Sequence, residues 1–272
     1  MIDVALEGPW HPWINIDHGA VSLRFSVPHV ADDLAPFPDW QFAPNIGRHP
    51  ASYQLENEAV DRAGHVLTAM RAIAPWAGRV IIDLGCGTGY WLRRYAEEAA
   101  QVIGVEPDPA LRSVAGRAAA DPAVELANTE VVAGSAEHIP LPDASADVVH
   151  ARFAYFFPPG TGAGLTEVLR VLRPGGHLVA VDNDYRSGEF ARLLAAAAVR
   201  PPQQTAAAVD TWWRDRGATR HEVRSELNFA SHADLAAVLH IEFPAEVATA
   251  WLRRHPAATG LSYGYVLFSV RA

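Results

Sequence analysis

The sequence predicts an α/β protein with a doubly wound, mostly parallel sheet, and three observations carry that reading. Short apolar runs alternate with amphipathic helical stretches between about residues 76 and 185. The first run, Val80-Ile81-Ile82-Asp83-Leu84, leads directly into glycines at alternate positions, Gly85, Gly87 and Gly89. After Asp182 the pattern changes, and strand-like stretches at 222–229 and 264–270 suggest a sheet finished by a reversed pair.

Residues 1–50 are rich in Pro, Trp and His and contain one alternating piece, Val21-Ser22-Leu23-Arg24-Phe25-Ser26-Val27, that reads as a strand in an N-terminal elaboration. From 51 to about 74, apolar Leu55, Ala59, Ala63, Val66, Leu67 and Met70 recur at helical spacing, predicting one helix closed by Pro75. The core then reads as strand 80–84, helix 88–100, strand 102–106, helix 109–119, strand 130–133, strand 146–150, helix 163–172 and strand 176–182. Such alternation implies parallel strands with right-handed crossovers and helices on both faces. Beyond it, an Ala-rich helix ends at Arg200-Pro201-Pro202, and further helices cover about 205–217 and 233–250.

A chain of 272 residues, half of them hydrophobic and 19% charged, is long and apolar enough to build its own core. Lys and Arg total 22 against 31 Asp and Glu, a formal charge of -9, so the field that gathers a polyanion is missing and nucleic acid is not an expected partner. Arg214, Arg216 and Arg220 with His221 read as solvated surface charge. Cys86 is the single cysteine, which excludes a disulfide framework and a multi-cysteine metal site and suits a reducing compartment. His11, His18, His29 and His49 lack the spacing of a helical ligand pair, so no metal is expected. No basic-then-apolar leader and no long apolar run is present, so the expectation is a soluble, cytoplasmic protein without a membrane partner, monomer or homodimer.

The chemistry lies in Asp83-Leu84-Gly85-Cys86-Gly87-Thr88-Gly89. A strand, a glycine-rich turn and a helix start let a ligand lie against backbone, with unpaired N–H groups expected at the helix N-terminus. The dinucleotide pattern G-x-G-x-x-G is not met, because Tyr90 stands where its third glycine belongs. Asp83 would repel a pyrophosphate but suits a cationic ligand. Glu106 ends the next strand, where a carboxylate can accept two ribose hydroxyls. Cys86 reads as a small packing residue within the loop.

Four ordered segments, VIIDLGCGTGYWLRRYA, VIGVEPDPAL, GSAEHIPLPDASADVVHARFA and LRVLRPGGHLVAVD, resemble class I S-adenosylmethionine-dependent methyltransferases of the methyltransferase type 11 kind over about residues 75–185. A wider resemblance, carried by NIGRHPASYQLEN, WWRDRGA and GLSYGYVLF, is to uncharacterised actinobacterial methyltransferase-like proteins, and it implies no substrate. The resemblance implies a Rossmann-like, seven-stranded sheet with a reversed last strand. It also implies a division into a cover at 1–50 and a domain at 51–272, with the cofactor core at 76–185 and the methyl-acceptor side at 186–272. S-adenosylmethionine is the implied cofactor. Asp83, Gly85, Cys86, Gly87 and Gly89 would surround its methionine end, Glu106 its ribose, and Pro107 and Asp108 its adenine. Ser135, Ala136 and Glu137 fall at the adenine edge, and because relatives often carry aspartate at the position of Ser135, either Ser135 or Glu137 would accept from the exocyclic amine. The helix before the first core strand would cover the cofactor through Tyr53, Glu56 and Asn57. Arg152 and Tyr155, after the fourth strand, would face the cofactor and the methyl acceptor. Leu172-Arg173-Pro174-Gly175-Gly176 matches a structural turn of these enzymes.

Methyl transfer from an activated sulfonium depends on positioning and desolvation and needs a base only for a protonated nucleophile, so a missing triad excludes nothing. His150 is a candidate base, with a structural reading beside it. Asp182, Asn183, Asp184, Tyr185 and Arg186 follow the fifth strand and are candidates to line the methyl-acceptor pocket, or else form a polar loop leading to a helix near Ser187. Trp10, Trp13, Trp212 and Trp213 read as packing or as substrate cover. The expected function is methylation of oxygen, nitrogen or carbon on a small organic molecule, including secondary metabolites. The alternative is cyclisation of the cofactor's own amino-acid part with release of methylthioadenosine, and a third reading is a cofactor-binding module without turnover.

Overall fold

The computed structural model describes residues 12–17, 20–25, 37, 43–121, 126–156, 161–197 and 205–272. A two-stranded antiparallel sheet pairs β1 (Pro12–Asp17) with β2 (Ala20–Phe25), in the register Trp13↔Arg24. The expectations for Trp10, His11, His18 and His29, and the helix end at Arg200-Pro201-Pro202, fall outside the described residues.

The main sheet has seven strands. They are β3 (Val80–Leu84), β4 (Gln101–Glu106), β5 (Thr129–Ala133), β6 (Ala146–Arg152), β7 (Leu172–Ser187), β8 (Thr219–Asn228) and β9 (Gly260–Arg271). Their order is β5-β4-β3-β6-β7-β9-β8; β3 to β7 pair in parallel, while β9 runs antiparallel to both β7 and β8. The expected doubly wound, mostly parallel sheet with a reversed last strand is therefore observed. The reversal belongs to β9 alone, which inserts between β7 and β8.

The pleat sorts the core into two clusters. Helix α1 (Pro44–Arg48) leads into α2 (Pro50–Ala59); on one face of the sheet, Ile81, Val102, Val148, Val179, Tyr265 and Leu267 pack beneath α2, α3 (His65–Ile73), α4 (Leu92–Ala96), α5 (Pro109–Ala120), α7 (Gly188–Ala197), α9 (His232–Glu242) and α10 (Ala245–Arg254). On the other, Ile82, Ile103, Val149, Leu178, Val266 and Phe268 pack against α6 (Gly162–Val171) and α8 (Ala206–Arg214). Trp213 of α8 stacks on Phe268 at 5.1 Å and meets Phe156 at 5.5 Å, so it belongs to this flanking layer.

Four local expectations are corrected. The single helix over 51–74 is two helices, because Val60 bridges to Leu227, Asp61 takes φ 50° and Gly64 φ 75°. Asp61 then accepts from the Val66 and Leu67 N–H groups at 2.9 and 3.2 Å and starts α3 afresh. The helix over 233–250 breaks at Phe243-Pro244, since a residue before proline is driven to extended backbone, here φ -132° and ψ 152°. The helix over 88–100 shrinks to α4, because Gly87 and Gly89 hold left-handed turns at φ 58° and 81° and delay its start. Residues 182–186 are strand and not loop: β7 runs through to Ser187, paired with β9 as far as Asn183↔Tyr265.

Candidate active site

The same pleat collects chemistry on one face. Asp83 sits between Gly104 and His150 in register, and residues two apart share a face, so Asp83, Glu106, His150, Arg152 and Asn183 join the face lined by Tyr263 and Tyr265. Helices α2 and α3 lie over it.

The glycine turn is held by its own bonds. Gly85 and Cys86 donate N–H to Val105 O at 2.8 and 3.2 Å, Gly89 donates to Cys86 O at 2.9 Å, and Gly87 donates to Glu106 Oε2 at 2.7 Å. The expected row of unpaired N–H groups at a helix N-terminus is thus not what the loop offers; α4 starts too late, and these N–H groups are already used. What the loop offers is a closely approachable backbone beside two buried carboxyls. A Cβ on Gly85 would lie 2.3 Å from Ala154 Cβ, and one on Gly87 3.3 Å from Ile46 Cδ1. Cys86 is buried, with its Sγ 2.9 Å from where a Cβ on Gly104 would stand, and burial, Asp83 and Glu106 push its thiol up, so it packs.

Burial pushes the Asp83 carboxyl up to about 7, with the Arg152 guanidinium pulling it back. Burial likewise pushes Glu106 up to about 7 against the lowering effect of the Asp108 and Gly87 N–H bonds. Two carboxyls that resist ionising are what a cation relieves, and each Glu106 oxygen keeps a second lone pair for a hydroxyl donor. Asp108 caps α5, accepting from Ala110 and Leu111 N–H at 2.8 and 3.3 Å, and Pro107 O accepts from Arg112 at 3.0 Å.

Arg152 is buried with its guanidinium 3.6 Å from the Trp91 ring centroid and Nη1 3.3 Å from Met70 Sδ, and its Nε has no partner. The two phenylalanines that frame the following segment take left-handed backbone, Phe153 at φ 51° and Phe156 at φ 59°. Bulky residues adopt that conformation only under constraint, and such strain gathers at functional sites. Phe153 lies 5.9 Å from the Tyr265 ring, Tyr265 stacks on Tyr263 at 4.2 Å, and Tyr263 stacks on Phe190 at 4.1 Å. The Tyr263 hydroxyl donates to Asn183 Oδ1.

His150 is fully buried between Trp76 and Tyr95, both ring nitrogens lack a partner, and burial with Arg152 nearby lowers it to about 3, so it is neutral. Tyr53 lies on α2, its hydroxyl pushed up by burial and by Glu56 and Glu242. Ser135 bridges to His138, Ala136 joins the opposite core cluster, and Glu137 accepts from the Tyr155 hydroxyl. Tyr155 fills the space beside Gly164, where a Cβ would lie 2.3 Å from its Cε1. Asp184 is separated from Asn183: it faces the α8 side and accepts from Ser187 Oγ at 2.6 Å and from Arg220 at 3.3 Å. Asn45, Glu242, Tyr263 and Tyr265 were not foreseen. The alternation in Ser262-Tyr263-Gly264-Tyr265 was the available signal for the tyrosines; Glu242 and Asn45 had none.

A seven-stranded sheet of this order, with paired acids and a glycine turn at the carboxyl ends of β3 and β4, defines a class I nucleoside-cofactor fold. The methyltransferase domain family model matches residues 82–180. Uncharacterized methyltransferases of Mycobacterium bovis and Mycobacterium tuberculosis are 35% identical over 216 residues, covering 74% of this chain and 85% of theirs. Among solved structures, a SAM-dependent methyltransferase from Aquifex aeolicus aligns with TM-score 0.52 at 16% identity, over 84% of this chain and 98% of that one. The [4+2]-cyclase SpnF aligns with TM-score 0.53 at 19% identity, over 77% and 81%. At these identities the structural likeness is one of fold. The chain belongs to the class I S-adenosylmethionine-dependent methyltransferases, and S-adenosylmethionine is its cofactor. Among the described residues no group of three or more His, Cys, Asp and Glu is placed to hold a metal ion, and no helix is long and apolar enough to cross a membrane.

Proposed function

We propose that this enzyme methylates a small organic molecule, made in secondary metabolism and held in the cytoplasm, at an oxygen, nitrogen or carbon. The observation that carries the proposal is the shelf of Phe153, Tyr263, Tyr265 and Phe190 beside Arg152 and Asn183, at the carboxyl edge where open α/β sheets bind ligands. An aromatic, mostly apolar lining suits a compact organic body, and the -9 charge of the chain speaks against a polyanion. When bound, the cofactor supplies a methyl group whose bond to sulfur breaks, its electron pair returning to sulfur as the nucleophile's lone pair closes on carbon.

In this reading Asp83 and Glu106 ionise against the cationic cofactor and its ribose, with Gly85, Cys86, Gly87 and Gly89 as the floor and Pro107, Ser135, Ala136 and Glu137 toward the adenine. Tyr53 covers the site, Arg152 orients the carboxylates, and Asn183 addresses the incoming molecule. Residues 1–50 form a cover on the 51–272 domain. The SpnF likeness shows the fold in a protein named for a cyclisation, which keeps cofactor cyclisation in view. The test is incubation with S-adenosylmethionine, with and without a panel of small nucleophiles. Adenosylhomocysteine that forms only with an added nucleophile supports the proposal; methylthioadenosine from cofactor alone supports cyclisation and overturns it.

A further inference from the structure

We propose that the carboxyls of Glu56 and Glu242 form the binding and proton-accepting site for a basic nitrogen, which makes the methylated molecule an amine with an aromatic or apolar body. This rests on the reading that a small molecule is methylated beside the aromatic shelf. Glu56, on α2, is nine-tenths buried where α2 packs on α9, the helix that ends in Glu242; the charge of Glu242 raises the Glu56 carboxyl, while Glu56 Oε2 has no partner. Asn45 Nδ2 donates to Glu242 Oε1 at 2.8 Å, and the next residue, Ile46, reaches the glycine turn at Gly87. The pair is thereby tied to the donor end of the site. On its other side Phe243 packs on Phe190 at 5.0 Å, and Phe190 stacks on Tyr263.

A second observation points independently to a polar ligand. The Tyr265 hydroxyl and Arg152 Nε are buried without partners and belong to neither carboxyl, and the Tyr265 hydroxyl lies within the field of Glu56 and Arg152. Burial raises both carboxyls, and the charge of Glu242 raises Glu56 further while Asn45 and Glu56 pull Glu242 back, so the pair carries at most one negative charge. A protonated amine supplies the donor that Glu56 Oε2 lacks, offsets the negative charge and lies favourably against ring faces. The pair then takes a proton from it: the N–H bond breaks, its electron pair stays on nitrogen as the nucleophile, and both carboxyls become neutral, the state that burial favours.

The test is calorimetry on the full chain with adenosylhomocysteine present, using phenethylamine and tryptamine against their alcohol counterparts, 2-phenylethanol and tryptophol. We expect each amine to bind at least about tenfold more tightly than its alcohol, and Glu242→Gln and Glu56→Gln each to erase that preference, with adenosylhomocysteine affinity unchanged in Glu242→Gln. Alcohols binding as well as amines, no amine binding at all, or a preference that survives both substitutions overturns the proposal. If Glu56→Gln does not fold, the comparison of amine with alcohol on the wild-type chain and on Glu242→Gln still decides. Amine binding without N-methyl product would sink the methyl-transfer reading alone; methylation of the alcohols in preference to the amines would sink the amine site alone.

Discussion

On the face of the sheet covered by α6 and α8, charge is matched by charge: the buried Asp184 is reached by Arg220, which also meets Asp210 and Glu222, and nearer the surface Arg170 reaches Glu167 and Asp143. On the face covered by α2, α3 and α9, polar atoms of Glu56, Tyr95, His150, Arg152 and Tyr265 are buried without partners. Matched charges on the first face have no unmet demand and serve the fold. The second face carries desolvation that nothing within the described residues relieves, and that is the condition under which a polar or charged ligand adds stability. The contrast sets unmet polar demand on one side of a single sheet against matched charge on the other.

That contrast can be broken by experiment. The largest effect is expected from Gly85→Val, which puts a branched side chain at φ 73° and into Ala154; cofactor affinity by calorimetry should fall by more than about 100-fold. Glu106→Ala should weaken cofactor binding by roughly 1.5–3 kcal/mol, the loss of a charged hydrogen-bond acceptor; unchanged affinity in both variants would mean that the cofactor does not lie on this turn.

A smaller effect follows from protonation. Asp83 and Glu106, both raised to about 7, hold their protons more tightly folded than unfolded. Their contribution to the cofactor-free fold is therefore full at pH values below the ordinary carboxyl range and is lost as pH rises through about 7. A cationic ligand selects the ionised forms, so cofactor affinity should climb by up to about tenfold per pH unit per group below 7 and flatten above it. Affinity that is flat from about pH 6 to 8 would show that neither carboxyl titrates on binding.

The smallest effect on binding belongs to the supporting face. Arg220→Met strips the buried Asp184 of its cation and should cost about 1–3 kcal/mol of stability in denaturant unfolding, while cofactor affinity stays within about twofold, because Asp184 faces away from the glycine turn. A large loss of affinity there would erase the division between the faces.

Much of this was legible in the residues. The short apolar runs that became β3, β4 and β6, and the glycines after Leu84, are local signals, since burial on both faces and left-handed backbone are demands that each segment meets on its own. Helix limits were less legible. The break at Val60–Gly64 depends on a bridge to Leu227, and the delayed start of α4 on bonds from the loop to Val105 and Glu106. Neighbouring candidates were also split by the pleat: Asn183 and Asp184 read as one polar loop, yet continuation of β7 sends them to opposite faces.

By itself, then, the sequence determined the sheet, the glycine turn and the acids Asp83 and Glu106 at the strand ends, because apolar runs, glycine backbone and strand ends are properties of a few consecutive residues. Only the tertiary structure decided that Glu242 comes to Glu56, that Asn45 holds it across 197 positions of sequence, and that Tyr263 and Tyr265 line the same face. No local pattern states which helix end arrives over a given strand; that is set by how the helices cover the sheet, and by the desolvation they impose on the groups they bury.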